Sequence, residues 1–187
     1  MPLLAEDPRF LYLAKPPGLP VFPPHGEPGG DCLLARLLAG RPEQEADWPE
    51  GFAGGILHRL DGWTSGLVVA ARQPEALVEG RARFASHRLQ KRYLFLSDGA
   101  VPWSEHAIDA PLAHDRRHKR RMVWRRGQSS PHRGRWLDAR TAFRRLGRLG
   151  SHGLWEATIG TGVTHQVRVH AAALGLPYWG AELRPEQ

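Results

Sequence analysis

Two short apolar runs on either side of a polar loop constrain this chain more than any other feature of its sequence. The runs Ile56–Leu57 and Leu67–Ala71 flank the loop His58–Gly66. Short apolar runs bounded by turn residues are typical of buried strands, so we expect strands at 55–58 and 67–71. The loop holds one carboxylate, Asp61, where a rigid scaffold commonly presents catalytic groups. An aspartate that only caps the turn is the common alternative.

The remaining elements are strands and a few helices. Apolar patterns predict strands at 10–14, 93–96, 122–124 and 154–160, a short helix that carries Leu33 to Leu38 and ends at Gly40, and helices at 74–86 and 164–174. Asp31 and Thr164 are the expected N-caps of the first and third helices, and residues 41–53 are expected to form an exposed connection. Strands joined by short loops, with few helices, favour an α+β fold. We expect a largely antiparallel mixed sheet in a single domain over residues 1–187.

The sequence has the features of a protein from a reducing compartment. Its single cysteine, Cys32, cannot form an internal disulfide. The first residues lack the basic and apolar regions of a signal peptide, and no apolar run reaches the roughly 20 residues that span a bilayer. We therefore expect a cytoplasmic protein without membrane contact.

Positive charge is concentrated in one part of the chain. Residues 116–148 contain 13 Lys or Arg and one acid, Asp138, whereas the rest of the chain contains 13 basic and 18 acidic residues. An acidic chain with one basic region favours a specific surface for a polyanion, with a solvated basic loop as the alternative. The strongest candidates for phosphate contact are Arg116, Arg117, Lys119, Arg120 and Arg121.

Four segments of the chain resemble, in the same order, the motifs of a known enzyme family. They are Leu13-Ala14-Lys15-Pro16-Pro17-Gly18, His58-Arg59-Leu60-Asp61-Gly62-Trp63-Thr64-Ser65-Gly66, Lys91-Arg92-Tyr93 and Gly162-Val163-Thr164-His165-Gln166-Val167-Arg168-Val169-His170. They are similar to the N-K-P-x-G, H-R-L-D-x-x-T-S-G, K-x-Y and G-R-T-H-Q-I-R-V-H motifs of the pseudouridine synthases of the ribosomal large-subunit (Rlu) type. The resemblance covers nearly the whole chain and implies the pseudouridine synthase fold.

This resemblance implies an isomerase that converts a uridine of ribosomal or transfer RNA into pseudouridine. Asp61 corresponds to the catalytic carboxylate, Tyr93 to the active-site tyrosine, and Arg168 to the helix arginine that pairs with the carboxylate. One ionised carboxylate near C1′ of the ribose is enough for this reaction, so we expect no cofactor and no metal. Considered without the family, a tyrosine such as Tyr93 is more often an ordinary core residue and an arginine such as Arg168 more often a solvated one.

The target uridine must leave a folded RNA before a carboxylate can reach it. Arg59 corresponds to a family position that can fill the gap left by the flipped base. Thr64 gives the loop a short side chain, which lets a substrate approach closely. His165 and Gln166 are expected to order the loop before Arg168 or to contact the RNA backbone.

The chain also departs from the family pattern. Gly62 and Trp63 stand where charged residues are usual, and Val163 replaces an Arg or Lys. The sequence resembles the family's catalytic domain with a shortened C-terminus, because relatives continue beyond the position of Gln187 into another strand. An uncovered sheet edge attracts another strand, so we expect either marginal stability of the isolated monomer or self-association through this end.

Two other functions remain open on the sequence. A catalytically silent RNA-binding protein on the same fold would use the basic region without the chemistry of Asp61. A nucleoside or base-excising hydrolase would cleave the same glycosidic bond. Glycoside hydrolysis, however, uses two carboxylates and a placed water, and no second acid stands near a matching motif.

Overall fold

The computed structural model describes residues 3–24, 29–86, 89–118, 121–127 and 130–178. The chain divides into two compact units, Met1–Ser86 and His87–Gln187. The expectation of a single domain stays a prediction, because compactness alone does not identify the part that folds independently. None of the helices in the described ranges has the length and apolar character that crossing a bilayer needs.

The first unit contains a three-stranded antiparallel sheet and two helices. Its elements are β1 (Leu3–Glu6), β2 (Phe10–Lys15), α1 (Leu33–Gly40), β3 (Gly66–Ala71) and α2 (Pro74–Ala85), with the strands in the order β1-β2-β3. β2 is central and largely buried, whereas all four residues of β1 are exposed. Phe10 lies opposite Ala71 and Lys15 opposite Gly66, so the end of β2 lies beside the start of β3.

α2 packs on the first unit through small and apolar residues. Ala76, Leu77 and Gly80 are its buried positions, and Leu77 belongs to a cluster with Phe10 and Leu57. A Cβ on Gly80 would lie 2.6 Å from the Leu57 side chain, so glycine allows the helix its close approach. This packing holds Leu57, and with it the start of the polar loop.

The N-cap of α1 differs from the predicted one. It is Cys32, whose Sγ accepts a hydrogen bond from the Ala35 backbone N–H at 3.3 Å. Asp31, the expected cap, instead forms an ion pair with Arg36 at 2.5 Å. Cys32 is fully buried, so the capping position also contributes to the core, which favours a thiol over a carboxylate.

The predicted exposed connection at 41–53 is partly wrong. It contains a 3-10 turn at Pro42–Glu45, and Gln44 within this turn is buried. Gln44 Nε2 donates to the carbonyl oxygens of Gly54 at 2.8 Å and Ala71 at 2.9 Å. These bonds fasten the connection to the end of β3.

The predicted strand at 55–58 is reduced to a bridge between Ile56 and Ala70. Gly54 and Gly55 precede it with φ values of 65° and 70°, in a conformation that extended strands do not contain. A second 3-10 turn, Ala53–Gly55, occupies this place. The prediction that this apolar run is buried is therefore confirmed, and the prediction that it forms a full strand is wrong.

The second unit contains two antiparallel sheets and one helix. The larger sheet has the order β4-β10-β9-β5, the smaller one has the order β7-β6-β8, and α3 follows them. The bounds are β4 (Lys91–Ser97), β5 (Glu105–Asp109), β6 (Leu112–Asp115), β7 (Met122–Trp124), β8 (His132–Leu137), β9 (Arg140–Leu149), β10 (His152–Ile159) and α3 (Gln166–Ala173). The predicted strands at 93–96, 122–124 and 154–160 correspond to β4, β7 and β10.

α3 packs against both sheets of this unit. Val167 and Ala171 join a buried cluster with Trp155 of the larger sheet. Val169 packs instead against the cluster that contains Met122 of the smaller sheet. Alternate apolar positions on one short helix thus face two different sheets, and this fixes the rotation of the helix about its axis.

The expected α+β architecture with largely antiparallel strands is confirmed. Every pairing between the strands described above is antiparallel, and the strands form three sheets instead of one. α3 begins after His165 and not after the predicted cap, Thr164. Residues 179–187 lie outside the described residues, and self-association through that end stays a prediction.

Candidate active site

The loop that carries Asp61 is closed at its base by hydrogen bonds to β3. The Leu57 N–H donates to the Val69 carbonyl at 3.0 Å, and the Val69 N–H donates to His58 Nε2 at 3.1 Å. Within the loop, the Thr64 N–H donates to the Asp61 carbonyl at 3.0 Å and forms a tight turn. Asp61 is half-buried in this turn, so its carboxylate extends from a fixed backbone.

A buried lysine fastens this loop to the end of β2. Only 2 % of Lys15 is exposed. Its Nζ donates to the carbonyl oxygens of Leu19 at 2.6 Å, Gly62 at 2.8 Å and Pro16 at 3.0 Å. An ammonium group has three donors and no acceptor, so three carbonyls satisfy it completely. The bond to Gly62, the residue after Asp61, ties the turn to β2.

Lys15 and Asp61 also attract each other electrostatically. Burial lowers the pKa of Lys15 below its usual value because the charged ammonium loses hydration, and the negative charge of Asp61 opposes this change. Sequence reasoning placed Lys15 within a motif and gave it no role of its own. The structure adds it to the site as the buried cation of the Asp61 loop.

The other loop residues predicted to contact RNA differ in exposure. Arg59 is exposed and Thr64 is half-buried. Trp63 is 78 % exposed, and an ideal Cβ on Gly18 would lie 3.5 Å from its ring atom Cζ3. The loop therefore presents a guanidinium and an indole within two residues of Asp61 in the sequence.

In the second unit, Tyr93 and α3 pack on the same hydrophobic cluster. Tyr93 lies in β4 opposite Ala157 of β10, and it is half-buried against the cluster that contains Val167 and Ala171 of α3. Arg168, the next residue on α3, is also half-buried. The two predicted catalytic residues of this unit thus belong to elements that pack around one cluster.

Gln166 orders the loop that precedes Arg168. Its Oε1 accepts hydrogen bonds from the Thr161 hydroxyl at 2.7 Å and the Val163 N–H at 3.2 Å. Its Nε2 donates to the Arg140 carbonyl at 2.9 Å and to Thr141 Oγ1 at 3.2 Å. The side chain is buried and both ends of its amide are occupied, so the geometry supports the loop-ordering role and leaves little for RNA contact.

His165 and His170 occupy different environments. His165 is half-buried at the N-cap of α3 with a φ of 56°, an uncommon conformation for a residue other than glycine. His170 is fully buried, with Nδ1 at 2.8 Å from Thr141 Oγ1 and Nε2 at 2.9 Å from the Ala110 carbonyl. The carbonyl accepts only, so Nε2 carries the proton and Nδ1 accepts from Thr141. Within the described ranges no three His, Cys, Asp or Glu side chains group as metal ligands would.

The predicted phosphate-contacting run lies between β6 and β7. Asp115 shapes its start, because its Oδ1 accepts from the N–H groups of Arg117 at 2.7 Å and His118 at 2.9 Å. Arg116, Arg117 and Arg121 are exposed. Lys119 and Arg120, the other predicted members, lie outside the described residues.

The four motif segments lie within one match to a known protein family. Residues 9–173 match the model of a family described as RNA pseudouridylate synthase. The chain belongs to this family. An RNA pseudouridine synthase of Chloroflexus aurantiacus is 39 % identical over 166 residues, which cover 89 % of this chain and 49 % of the relative. The ribosomal large subunit pseudouridine synthase D of Zymomonas mobilis is 35 % identical over 174 residues, or 92 % of this chain and 52 % of the relative.

The fold is also that of pseudouridylate synthases. The structure of human RNA pseudouridylate synthase domain containing 1 superimposes with a TM-score of 0.76 at 24 % identity, covering 96 % of this chain and 67 % of that one. This likeness confirms the expected pseudouridine synthase fold. The chain spans about half the length of the curated relatives that it matches.

Lys91, in the family's K-x-Y motif, is a second lysine that sequence reasoning left without a role. A Cβ on Gly162 would lie 2.9 Å from the Lys91 Nζ, so the ammonium lies against the loop that leads to α3. Burial lowers the pKa of Lys91. Of the 26 basic residues only three are lysines, and this rarity is the signal that could have drawn attention to Lys15 and Lys91.

Proposed function

We propose that this pseudouridylate synthase-family chain is an RNA pseudouridine synthase that uses Asp61 as its catalytic carboxylate. The observation that carries the proposal is the fixed turn around Asp61, held by the Lys15 ammonium through the Gly62 carbonyl. A catalytic carboxylate works best on a backbone that does not reorganise during the reaction. The family's chemistry needs one such group.

The proposed reaction breaks the bond between uracil N1 and ribose C1′ and joins C5 of the same uracil to C1′. Asp61 either attacks C1′ or stabilises the positive charge that develops on the sugar. The C5 proton leaves after the new bond forms, and N1 gains a proton, so the base is retained and no other reactant is consumed. Tyr93 is proposed to stack on the uracil, with its hydroxyl assisting removal of the C5 proton.

Arg168 is proposed as the third catalytic residue, in the role that the family motif gives it. Its support within the second unit is the placement of α3, which two hydrophobic clusters hold in one rotation. Removal of a half-buried guanidinium from such a helix should lower activity more than stability, because the apolar contacts of Val167, Val169 and Ala171 remain.

The proposed substrate is a uridine of ribosomal RNA. Several relatives are named as ribosomal large subunit pseudouridine synthases, and the exposed Arg116, Arg117 and Arg121 offer forked contacts to phosphates. Transfer RNA is the second candidate substrate. Action on ribosomal RNA agrees with the cytoplasmic location expected from the sequence.

Conversion of total RNA tests the proposal directly. RNA from a strain that lacks the protein is incubated with the pure protein, and new pseudouridines are mapped at nucleotide resolution. The Asp61→Asn variant keeps the shape of the side chain and removes its charge, so activity should fall below detection while RNA affinity changes little. Asp47→Asn, an exposed aspartate of the same unit, is the matched control and should keep full activity.

The same experiment separates the alternatives. RNA binding without new pseudouridine would favour a catalytically silent RNA-binding protein. Release of free uracil with abasic sites in the RNA would identify a base-excising hydrolase. Substantial pseudouridine formation by pure Asp61→Asn protein would contradict the assignment of the carboxylate.

A further inference from the structure

Trp63 is an exposed aromatic residue in the loop that carries the candidate catalytic carboxylate. Its exposed fraction, 78 %, is the highest among the exposed large hydrophobic residues of the described ranges. Isolated hydrophobic residues on a surface are common and need no explanation by themselves. Trp63 differs from Leu4 or Val78 in its place, two residues after Asp61 in a fixed turn.

The backbone on both sides of Trp63 is held. Lys15 Nζ donates to the Gly62 carbonyl at 2.8 Å on one side, and the Thr64 N–H donates to the Asp61 carbonyl at 3.0 Å on the other. Binding of a ligand to the indole therefore costs little conformational entropy, because the loop is already ordered. Preorganisation of this kind raises affinity without additional contacts.

Gly18, which follows β2 in the chain, lies next to the indole of Trp63. An ideal Cβ on Gly18 would lie 3.5 Å from Cζ3 and 3.9 Å from Cε3 and Cη2 of Trp63, so the benzo ring rests against this glycine. Gly18 has a φ of 81°, which favours glycine at this position. The ring is thus in contact on one side and exposed over most of its area.

We propose that Trp63 is a stacking platform for an unpaired RNA base next to the target uridine. This inference rests on the proposed function and adds a binding residue to it. An exposed aromatic ring four residues after the exposed Arg59, in the same loop, suits a nucleotide, which has a π-face and an adjacent phosphate. An apolar protein segment would gain nothing from the guanidinium.

The spacing of Asp61 and Trp63 fits a neighbouring base. Two residues span at most about 7 Å along the chain, since consecutive Cα atoms are about 3.8 Å apart. Bases in a stacked strand are about 3.4 Å apart, so a base on the indole belongs to a nucleotide close to a uridine held at Asp61. Stacking does not read hydrogen bonds, so the platform accepts any base and favours the larger purines.

Binding of short single-stranded oligoribonucleotides tests the platform. Dissociation constants are measured for oligo(A) and for a strand of equal length whose internal nucleotides lack bases. Trp63→Ala should weaken binding of oligo(A) by about 5- to 150-fold, the range for loss of one stacked base, and should leave the abasic strand unaffected. Trp63→Tyr, which keeps an aromatic face, should retain most of the affinity.

The control is Val78→Ala, which removes an exposed apolar side chain of the same unit outside the loop. The salt dependence of binding adds a second readout, because Trp63→Ala removes no phosphate contact and should leave its slope unchanged, whereas Arg59→Ala should reduce it. Equal weakening of both strands by Trp63→Ala would overturn the inference, since a base would then not be the ligand.

The outcomes for this inference and for the proposed function are distinguishable. An active protein that does not bind oligo(A), or whose affinity Trp63→Ala leaves unchanged, would overturn the platform and leave the enzyme assignment intact. Pseudouridine formation by the unsubstituted protein, together with base-dependent loss of affinity in Trp63→Ala, is the expected result. A protein that neither binds nor modifies RNA would overturn both.

Discussion

The two loops that carry the candidate site residues are held in opposite ways. In the first unit, the Asp61 loop is fastened by a buried cation, Lys15, which donates to three backbone carbonyls. In the second unit, the loop before Arg168 is fastened by a neutral amide, Gln166, which accepts two hydrogen bonds and donates two. Each side chain is almost completely buried.

The difference follows the hydrogen-bonding groups that each loop presents. The Asp61 loop and its neighbours present three backbone carbonyls, which only accept, and an ammonium only donates. The loop before Arg168 presents the Thr161 hydroxyl and the Val163 N–H as donors, and an ammonium could accept from neither. The Gln166 amide both accepts and donates, which explains why the two fastening groups are not interchangeable.

Of the substitutions that test this comparison, removal of the Lys15 ammonium should have the largest effect on stability. Lys15→Met keeps an apolar stem of similar length and leaves the Leu19, Gly62 and Pro16 carbonyls without their donor. We expect a loss of about 3 kcal/mol in the free energy of unfolding, measured with urea, and faster amide exchange at Thr64. Turnover should also fall, because the Asp61 loop becomes less ordered.

Lys15→Arg separates charge from geometry. A guanidinium keeps the positive charge, but its donors lie in a plane and cannot converge on three carbonyls as one ammonium does. This variant should recover little of the stability lost in Lys15→Met. Full stability and turnover in Lys15→Met would show that Lys15 does not hold the Asp61 loop, whereas full stability in Lys15→Arg alone would show that a positive charge is enough.

Loss of the Gln166 amide should have a smaller effect, because no charge is involved. Gln166→Ala leaves the Thr161, Val163 and Arg140 partners unsatisfied, and we expect a loss of about 1–3 kcal/mol in the free energy of unfolding. Amide exchange should accelerate at Val163 and not at Thr64. Gln73→Ala, at an exposed glutamine, is the control and should stay within about 0.5 kcal/mol of the unsubstituted protein.

Both fastening residues were only partly predictable, for a common physical reason. Lysine and glutamine are usually exposed, and local sequence does not show whether distant carbonyls converge on one side chain. The partner of Gln166 that lies farthest along the chain, Arg140, is 26 residues away, and the Gly62 partner of Lys15 is 47 residues away. The sequence predicts the loop-ordering role as one of two alternatives for Gln166, whereas the role of Lys15 needed the tertiary structure.

Prediction of the secondary structure succeeded for β10, where apolar residues alternate clearly, and failed for β9, where arginines replace them. β10 was expected, since Trp155, Ala157 and Ile159 alternate and are buried. β9 was missed although it is the longest strand described, because Arg140–Leu149 contains four arginines and only Thr141 and Phe143 are buried. Pairing with β10 on one side and β5 on the other stabilises it where its own pattern is weak.

The smallest expected effect concerns protonation in the second unit. Gln166 Nε2 donates to Thr141 Oγ1, the Thr141 hydroxyl donates to His170 Nδ1, and His170 Nε2 donates to the Ala110 carbonyl. This chain of hydrogen bonds requires a neutral His170. Burial lowers the pKa of His170 below 6.5, and the hydrogen bond to Ala110 and the charge of Asp109 oppose this only in part.

A lowered histidine pKa means that the unfolded protein binds more protons than the folded one as the solution becomes acidic. The contribution of His170 to stability is therefore complete above the unfolded pKa of about 6.5 and is lost as the pH falls from there towards the folded pKa. One proton changes the free energy of unfolding by at most about 1.4 kcal/mol per pH unit.

Urea unfolding from neutral to mildly acidic pH, compared between the unsubstituted protein and His170→Gln, isolates this contribution from the other histidines. The variant should show the weaker pH dependence, and the change in amide exchange on acidification should appear at Val163 and not at Thr64. Identical pH profiles for the two proteins would mean that protonation of His170 does not affect stability in this range. The loop of the second unit would then be as insensitive to pH as the Asp61 loop, which Lys15 holds.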